Sequence, residues 1–244
     1  LAFNVPGNGY DDVLIENYLD FNARDVAKLF LEGIKILKIQ QLYAIIGGSV
    51  GGGIAWEMVA LEPKITEHLI PIATDWKSTD WLIANCFLQE QILNNSSKPI
   101  EDARIHAMLC YRTPESFKAK FQRTTNEEQA IFNVESWLNH HGKKLQKRFQ
   151  LSAYRMMNQL LKTIDITRSS DSFEEIVSRI EAEIHIIGID SDLFFTANEN
   201  KETFEELKKL DKKVSYGEIK SIHGHDAFLI EYKQLDKLLK DIFI

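Results

Sequence analysis

One short stretch constrains this chain more than any other. Gln41-Leu42-Tyr43-Ala44-Ile45-Ile46 runs directly into Gly47-Gly48-Ser49-Val50-Gly51, and a helix-compatible segment follows from about Gly53 to Leu61, stopping near Pro63. A short apolar run ended by glycine reads as a strand buried on both faces of a parallel sheet. Gly-x-Ser-x-Gly between a strand and a helix predicts a sharp turn that holds the serine in a strained conformation with Oγ exposed. The residues two before and two after the serine are expected to be small because strand and helix pass close there. Ser49 is therefore the candidate nucleophile, and the Val50 N–H, at the start of the helix, faces the place where an oxyanion would form. The competing reading is a glycine-rich phosphate loop, but neither the Lys nor the downstream acidic ribose ligand that such loops add is evident.

The rest of the chain is organised around that turn. Residues 1–5 read as the tail of a strand entered midway, ending in the turn signal Pro6-Gly7-Asn8-Gly9. Phe21, Val26, Leu29, Phe30, Ile34 and Leu37 recur at helical spacing, and a second buried strand is expected at His68–Ala73. From 79 to 180 helical periodicity dominates. Strands then return at Ile184–Ile189 and Lys213–Glu218, with helices expected over 198–209 and 231–243. The expected organisation is thus α/β: core parts over 1–78 and 181–244, with a helical insertion over 79–180 between them.

Composition sets the class. The 244 residues include 44% hydrophobic and 27% charged residues, as in an ordinary globular chain. A net charge of -7 argues against nucleic acid or anionic membranes as partners. The basic pairs Lys143–Lys144 and Lys147–Arg148 read as solvated helix faces. Cys86 and Cys110 form neither a disulfide framework nor a metal-ligand spacing, so a reduced, cytoplasmic protein without a metal is expected. No apolar run approaches the ~20 residues needed to cross a bilayer.

A serine hydroxyl needs a base, and the base needs an orienting carboxylate. After a turn of this kind the order is serine, acid, histidine, each following a different strand. The loop after the third expected strand offers Asp190 and Asp192, and the loop after the fourth offers His223 and His225. Spacing does not choose within either pair. The other histidines, His68, His106, His140, His141 and His185, lie in helical or strand contexts and read as surface or satisfied core residues.

With these elements placed, the sequence resembles the homoserine O-acetyltransferase family of the α/β-hydrolase fold. The likeness rests on Asn22-Ala23-Arg24-Asp25, on Ile46-Gly47-Gly48-Ser49-Val50-Gly51-Gly52, and on Leu109-Cys110-Tyr111-Arg112-Thr113. It extends through Trp137-Leu138, Gly142-Lys143-Lys144 and Arg148-Phe149 to Ser191-Asp192-Leu193-Phe194 and Gly224-His225-Asp226-Ala227-Phe228-Leu229. The resemblance implies a mostly parallel sheet with a helical lid, Asp192 as the acid, His225 as the base, and Arg112 with Asp226 as the holders of the amino acid substrate. Charge chemistry agrees, since an Arg fork suits a carboxylate and an Asp suits an ammonium group. It implies transfer of an acetyl group from acetyl-CoA, as co-substrate, to L-homoserine, a step of methionine biosynthesis. A homodimer and no bound cofactor are also implied. Two departures stand out: Gln89 is followed by Glu90 where the family has arginine, and the family's first strands have no counterpart before Leu1. The chain accordingly reads as a fragment of a longer protein. A hydrolase of small esters or thioesters, or a non-catalytic homologue that kept the turn for packing, are the alternatives.

Overall fold

The computed structural model describes residues 1–10, 12–168 and 171–243. After an irregular start and a 3-10 turn at Tyr18–Asp20, α1 spans Ala23–Ile36. Asn22 starts it: its side chain accepts from the Arg24 and Asp25 N–H groups, and Asp25 returns a bond to the Asn22 N–H. That capping box satisfies donors which the first turn otherwise leaves unpaired. β1 (Leu42–Gly48), α2 (Val50–Leu61) and β2 (Thr66–Ile72) follow. The chain then leaves the sheet through α3 (Asp80–Asn95), α4 (Pro99–Tyr111) and α5 (Pro114–Phe121). A two-residue hairpin, β3 (Thr125–Asn126) with β4 (Ile131–Phe132), precedes α6 (Asn133–Gln146) and α7 (Leu151–Lys162). It returns by α8 (Phe173–Arg179) to β5 (Glu183–Ile189), α9 (Ala197–Lys209), β6 (Val214–Ile219), a 3-10 segment at Gly224–Leu229 and α10 (Tyr232–Leu239).

The main sheet has the order β1-β2-β5-β6 with every pairing parallel. Alternation along the strands divides the core. Leu69, Ile184 and Ile186 pack with Trp56 and Val59 of α2, with α8 and with Leu207 of α9. Ile70, Ile72, Ile187, Ile189 and Ile219 face the opposite way, against Leu235, Leu238 and Leu239 of α10. A third cluster joins α1 and α2 to the helices of the excursion through Leu82, Cys86, Met156 and Leu160.

Three expectations need correction. Residues 1–5 form no strand; Phe3 instead stacks on Phe30 of α1 with ring centroids 5.0 Å apart. β1 is not buried on both faces, because among the described residues it pairs only with β2, and Tyr43 and Ile46 stay about half exposed. α10 ends at Leu239, whose carbonyl accepts from both Ile242 and Phe243, and that tight turn brings Ile242 into the core.

The excursion leaves and returns through a narrow neck. Ser78 N–H donates to Ile164 O, Ile166 N–H donates to Trp76 O, and Trp76 stacks on Phe173 at 4.4 Å. A buried ion pair lies beneath it. Arg24 Nε is 2.8 Å from Glu57 Oε2, Arg24 Nη2 donates to Ile166 O, and Glu57 Oε1 accepts from Asp165 N–H. Burial pushes the Glu57 carboxyl upward while Arg24 opposes it. Breaking one half of such a pair typically costs about 3–5 kcal/mol, since it strands the other charge. Neck and helices are thereby tied to α1 and α2 at the edge of the sheet where the strands end.

Candidate active site

Ser49 occupies the turn between β1 and α2 with φ 53° and ψ -127°. A non-glycine residue there holds strain of about 1–3 kcal/mol and persists only where its surroundings enforce it. Close approach explains part of the glycine pattern. A Cβ on Gly47 would sit 2.3 Å from the Gly51 carbonyl oxygen, and one on Gly52 would sit 2.2 Å from Thr74 Cγ2. Gly51, two residues after the serine, has open space instead, so the expectation that both flanking positions must be small holds only for the first. α2 begins at Val50, three residues earlier than its sequence pattern indicates, and its first N–H groups have no partner within the helix ladder.

The acid and base loops come to the same place. Asp192 Oδ2 lies 2.7 Å from His225 Nδ1, and His225 Nε2 lies 2.9 Å from Ser49 Oγ. A carboxylate only accepts, so Nδ1 carries the proton and Nε2 presents its lone pair to the serine hydroxyl. The other Asp192 oxygen accepts from the N–H groups of Phe194 and Phe195, at 2.7 and 3.0 Å, which locks the carboxylate in place. Asp192 and His225 are 5% and 4% exposed, so the pair is largely shielded from solvent. The alternatives go elsewhere. Asp190 accepts from Ser221 N–H at 3.0 Å, and His223 Nδ1 lies 3.1 Å from Ser116 Oγ.

Aromatic rings enclose the imidazole. Tyr111, Phe194, Phe195 and Phe228 have centroids 5.2–5.8 Å from that of His225. Burial pushes the Tyr111 hydroxyl up to about 12, so it remains a neutral donor. Sequence reasoning passed over this wall, although each ring lies within three residues of a candidate site residue in the chain. Tyr111 and Phe194 also line a cavity of about 180 Å³ together with Cys86, Gln89 and Tyr154.

Arg112, the C-cap of α4, places Nε 3.1 Å from Asp226 Oδ2, both side chains about one-fifth exposed. The contact is an ion pair without an aligned hydrogen bond from Nε. Arg112 lines a cleft of about 380 Å³ with Phe117, Phe121, Trp137 and His223. Glu90, where an arginine was expected, points to Lys162 at 4.0 Å, while Gln89 is held by the Ala103 carbonyl and by Tyr154 Oη.

Comparison with known proteins bears on the fold and the family. A family model for the alpha/beta hydrolase fold matches residues 1–152. A homoserine O-acetyltransferase of Cyclobacterium marinum is 33% identical over 99% of this chain and 70% of its own length. One from Chloroherpeton thalassium is 31% identical over 91% of this chain and 61% of its own. The chain thus spans about two-thirds of the length of these relatives. Among solved structures, homoserine O-acetyltransferase from Bacillus anthracis superposes with a TM-score of 0.81 at 21% identity, covering 92% of this chain and 66% of that one. The acetyl esterase MekB superposes at 0.77 with 16% identity, covering 99% of this chain and 71% of that one. With the fold, the serine turn and similarity along nearly all of this chain in agreement, the chain belongs to the homoserine O-acetyltransferase family of the alpha/beta hydrolase fold.

Proposed function

We propose that this chain carries out acyl transfer to the hydroxyl of homoserine through an acyl-Ser49 intermediate, with acetyl-CoA as donor. The observation that carries the reading is the unbroken polar chain from Ser49 Oγ through the His225 ring to Asp192. His225 takes the Ser49 proton as Oγ attacks the thioester carbonyl, and Asp192 stabilises the imidazolium that forms. The Val50 N–H donates to the tetrahedral oxyanion. Collapse expels CoA, which leaves with the proton from His225. The homoserine hydroxyl then attacks the acyl-serine with His225 again as base, and the product ester departs as Ser49 regains its proton. Arg112 holds the substrate carboxylate and Asp226 its ammonium group, two side chains of opposite charge that stand 3.1 Å apart. The helices α3 to α7 and the aromatic wall limit water at the acyl-enzyme, which favours transfer over hydrolysis.

No metal or bound cofactor is called for, CoA entering and leaving with the donor. A homodimer, a cytoplasmic setting and a place in methionine formation are proposed on the family resemblance. Among the described residues no helix is long and apolar enough to cross a membrane.

A second reading, ester hydrolysis, is favoured by the structural likeness to an acetyl esterase. Incubation with acetyl-CoA should add one acetyl group to the peptide carrying Ser49, and homoserine should discharge it as the O-acetyl ester. Ser49→Ala should lower turnover by about 10⁴–10⁶-fold. Wild-type transfer by Ser49→Ala would sink both readings. CoA release indifferent to homoserine would leave only the esterase.

A further inference from the structure

At the opposite end of the sheet from Ser49, three side chains with metal-binding chemistry meet on the face covered by α10. His68 lies on β2, and Glu183 and His185 on β5, with His68 and Glu183 in register on adjacent parallel strands. The two-residue alternation of a strand puts Glu183 and His185 on one side, the side of Ile187 and Ile189. His68 Nδ1 is 3.0 Å from His185 Nε2, Glu183 Oε1 is 4.0 Å from His185 Nε2, and one ligand atom from each residue lies within 4.8 Å of the others. Nothing in the acyl-transfer mechanism uses them. Ser49 N–H bonds to Ile72 O, and His68 is four residues before Ile72, which at ~3.3 Å per residue separates the two sites by about 13 Å.

We propose that His68, His185 and Glu183 form a binding site for a divalent cation of the zinc class, with His68 Nδ1, His185 Nε2 and a Glu183 oxygen as ligands and solvent at the fourth position. Two nitrogens and one carboxylate oxygen, with one side open, suit Zn²⁺, and Co²⁺ or Ni²⁺ after it. The outer groups support it. His185 Nδ1 lies 2.8 Å from Ser215 Oγ on β6, the arrangement by which a second ring nitrogen orients a ligating imidazole. With Nδ1–H donated to Ser215, His185 Nε2 presents a lone pair; with His68 protonated on Nε2, its Nδ1 presents another. Two lone pairs facing each other repel unless a proton or a cation lies between them. A cation needs no net change of protonation, only these tautomers, and a tetrahedral Zn–N geometry needs the nitrogens to part to about 3.3 Å.

Further contacts shape the site. The Tyr43 ring stands edge-on to His68 at 5.0 Å, and its hydroxyl donates to the Ile242 carbonyl, so the C-terminal turn closes one side. Glu183 remains 43% exposed at its side chain, which leaves a route for the ion. His68 and His185 are 117 residues apart, which is why spacing in the sequence could not reveal the pair.

The test is titration of metal-stripped protein with Zn²⁺ against a chromophoric chelator, together with the visible spectrum of the Co²⁺ form. The expected result is one equivalent of zinc, and a Co²⁺ spectrum of low coordination that Zn²⁺ abolishes. His68→Gln and His185→Gln should each weaken binding by more than the about 10–100-fold that loss of an outer partner costs, and Ser215→Ala should fall within that range. Zinc at a hundredfold excess over Kd should raise the wild-type Tm by about 5–10 °C and leave that of His68→Gln unmoved. Failure of the wild type to take up either metal would show that the pair holds only a proton and overturn the proposal. So would unchanged zinc uptake by a folded His68→Gln/His185→Gln double variant. Both readouts are independent of acyl transfer, so the failure of one proposal leaves the other standing.

Discussion

Two histidines, one in the 3-10 segment beyond β6 and one on β5, each bridge two polar partners at opposite ends of the sheet. His225 lies between a carboxylate at 2.7 Å and a hydroxyl at 2.9 Å, whereas His185 lies between a hydroxyl at 2.8 Å and a second imidazole at 3.0 Å. The carboxylate decides everything at the first site. It accepts only, so it dictates which nitrogen is protonated and aims the other at Ser49. At the second site the hydroxyl of Ser215 can donate or accept, and the tautomer follows whatever lies between the rings. Identical side chains thus become a one-way proton relay in one place and an adaptable ligand pair in the other.

The largest expected effect tests that difference directly. Asp192→Asn should lower acyl transfer by about 10⁴-fold, because an amide at this position can favour the wrong imidazole tautomer while keeping the shape. Ser215→Ala, the matching change at the far end, should leave kcat within error. Steady-state rates of the two variants side by side are the measurement. Equal losses would mean that the comparison is mistaken and that the two ends communicate.

A smaller effect concerns the proposed substrate clamp, Arg112 and Asp226, beside the first histidine. Arg112→Lys keeps the charge but loses the planar fork, so kcat/KM for homoserine should fall about 10–100-fold, with acylation by acetyl-CoA unchanged. Pre-steady-state CoA release separates the two half-reactions. A fall in acylation instead would place Arg112 on the donor's path.

The two outer strands, β1 and β6, should also differ in tolerance to packing changes. A Cβ at Gly47 meets backbone, the Gly51 carbonyl at 2.3 Å, while one at Gly217 meets Leu238 Cδ2 at 2.7 Å, the tip of a flexible side chain. Gly47→Ala should cost about 1–3 kcal/mol and distort the serine turn, whereas Gly217→Ala should cost less than about 1 kcal/mol. Denaturant midpoints read both.

A last effect is in pH dependence, where the two ends carry opposite slopes. Asp75, fully enclosed just past β2, accepts from Trp76 N–H and Thr203 Oγ1, and burial raises its carboxyl to about 7. The native state therefore holds a proton that the unfolded chain releases near 4, so stability falls as pH climbs from about 4 to 7, by at most a few kcal/mol. His185 is shifted the other way: the unfolded chain binds its proton first, and stability falls as pH drops through its ordinary value near 6.5. Asp75→Asn should remove the first slope and His185→Gln the second in Tm measured from pH 5 to 8.

What could be read from the residues was local or ordered along the chain. Seven or so residues of apolar run, a glycine turn and a helix announce themselves because each is set by neighbours in sequence, and β1, β2, β5, β6, α1 and α9 fall where the pattern puts them within a few residues. Serine, acid and histidine were also legible as a set, since their order follows from the order of the strands. Choosing Asp192 over Asp190 and His225 over His223 was not legible in spacing alone. It depends on which loop residue the Phe194 and Phe195 N–H groups capture and which imidazole the folded loops turn toward Ser49, both set by packing. The exposure of Tyr43 and Ile46 on β1 escaped for a related reason, because apolar content says that a strand can be buried but not what covers it at the edge of the sheet.

The sequence by itself therefore determined the sheet, the helical excursion, the serine turn and the four residues from which acid and base had to come. Tertiary structure alone decided which pair meets Ser49, built the aromatic wall around His225, joined Arg24 to Glu57 beneath the neck, and set His68 against His185. The division has one physical cause. Backbone geometry and hydrophobic periodicity act over a few residues and leave a trace in order, whereas tautomer choice, ion pairing and ligand geometry depend on atoms a few ångströms apart in space and distant along the chain.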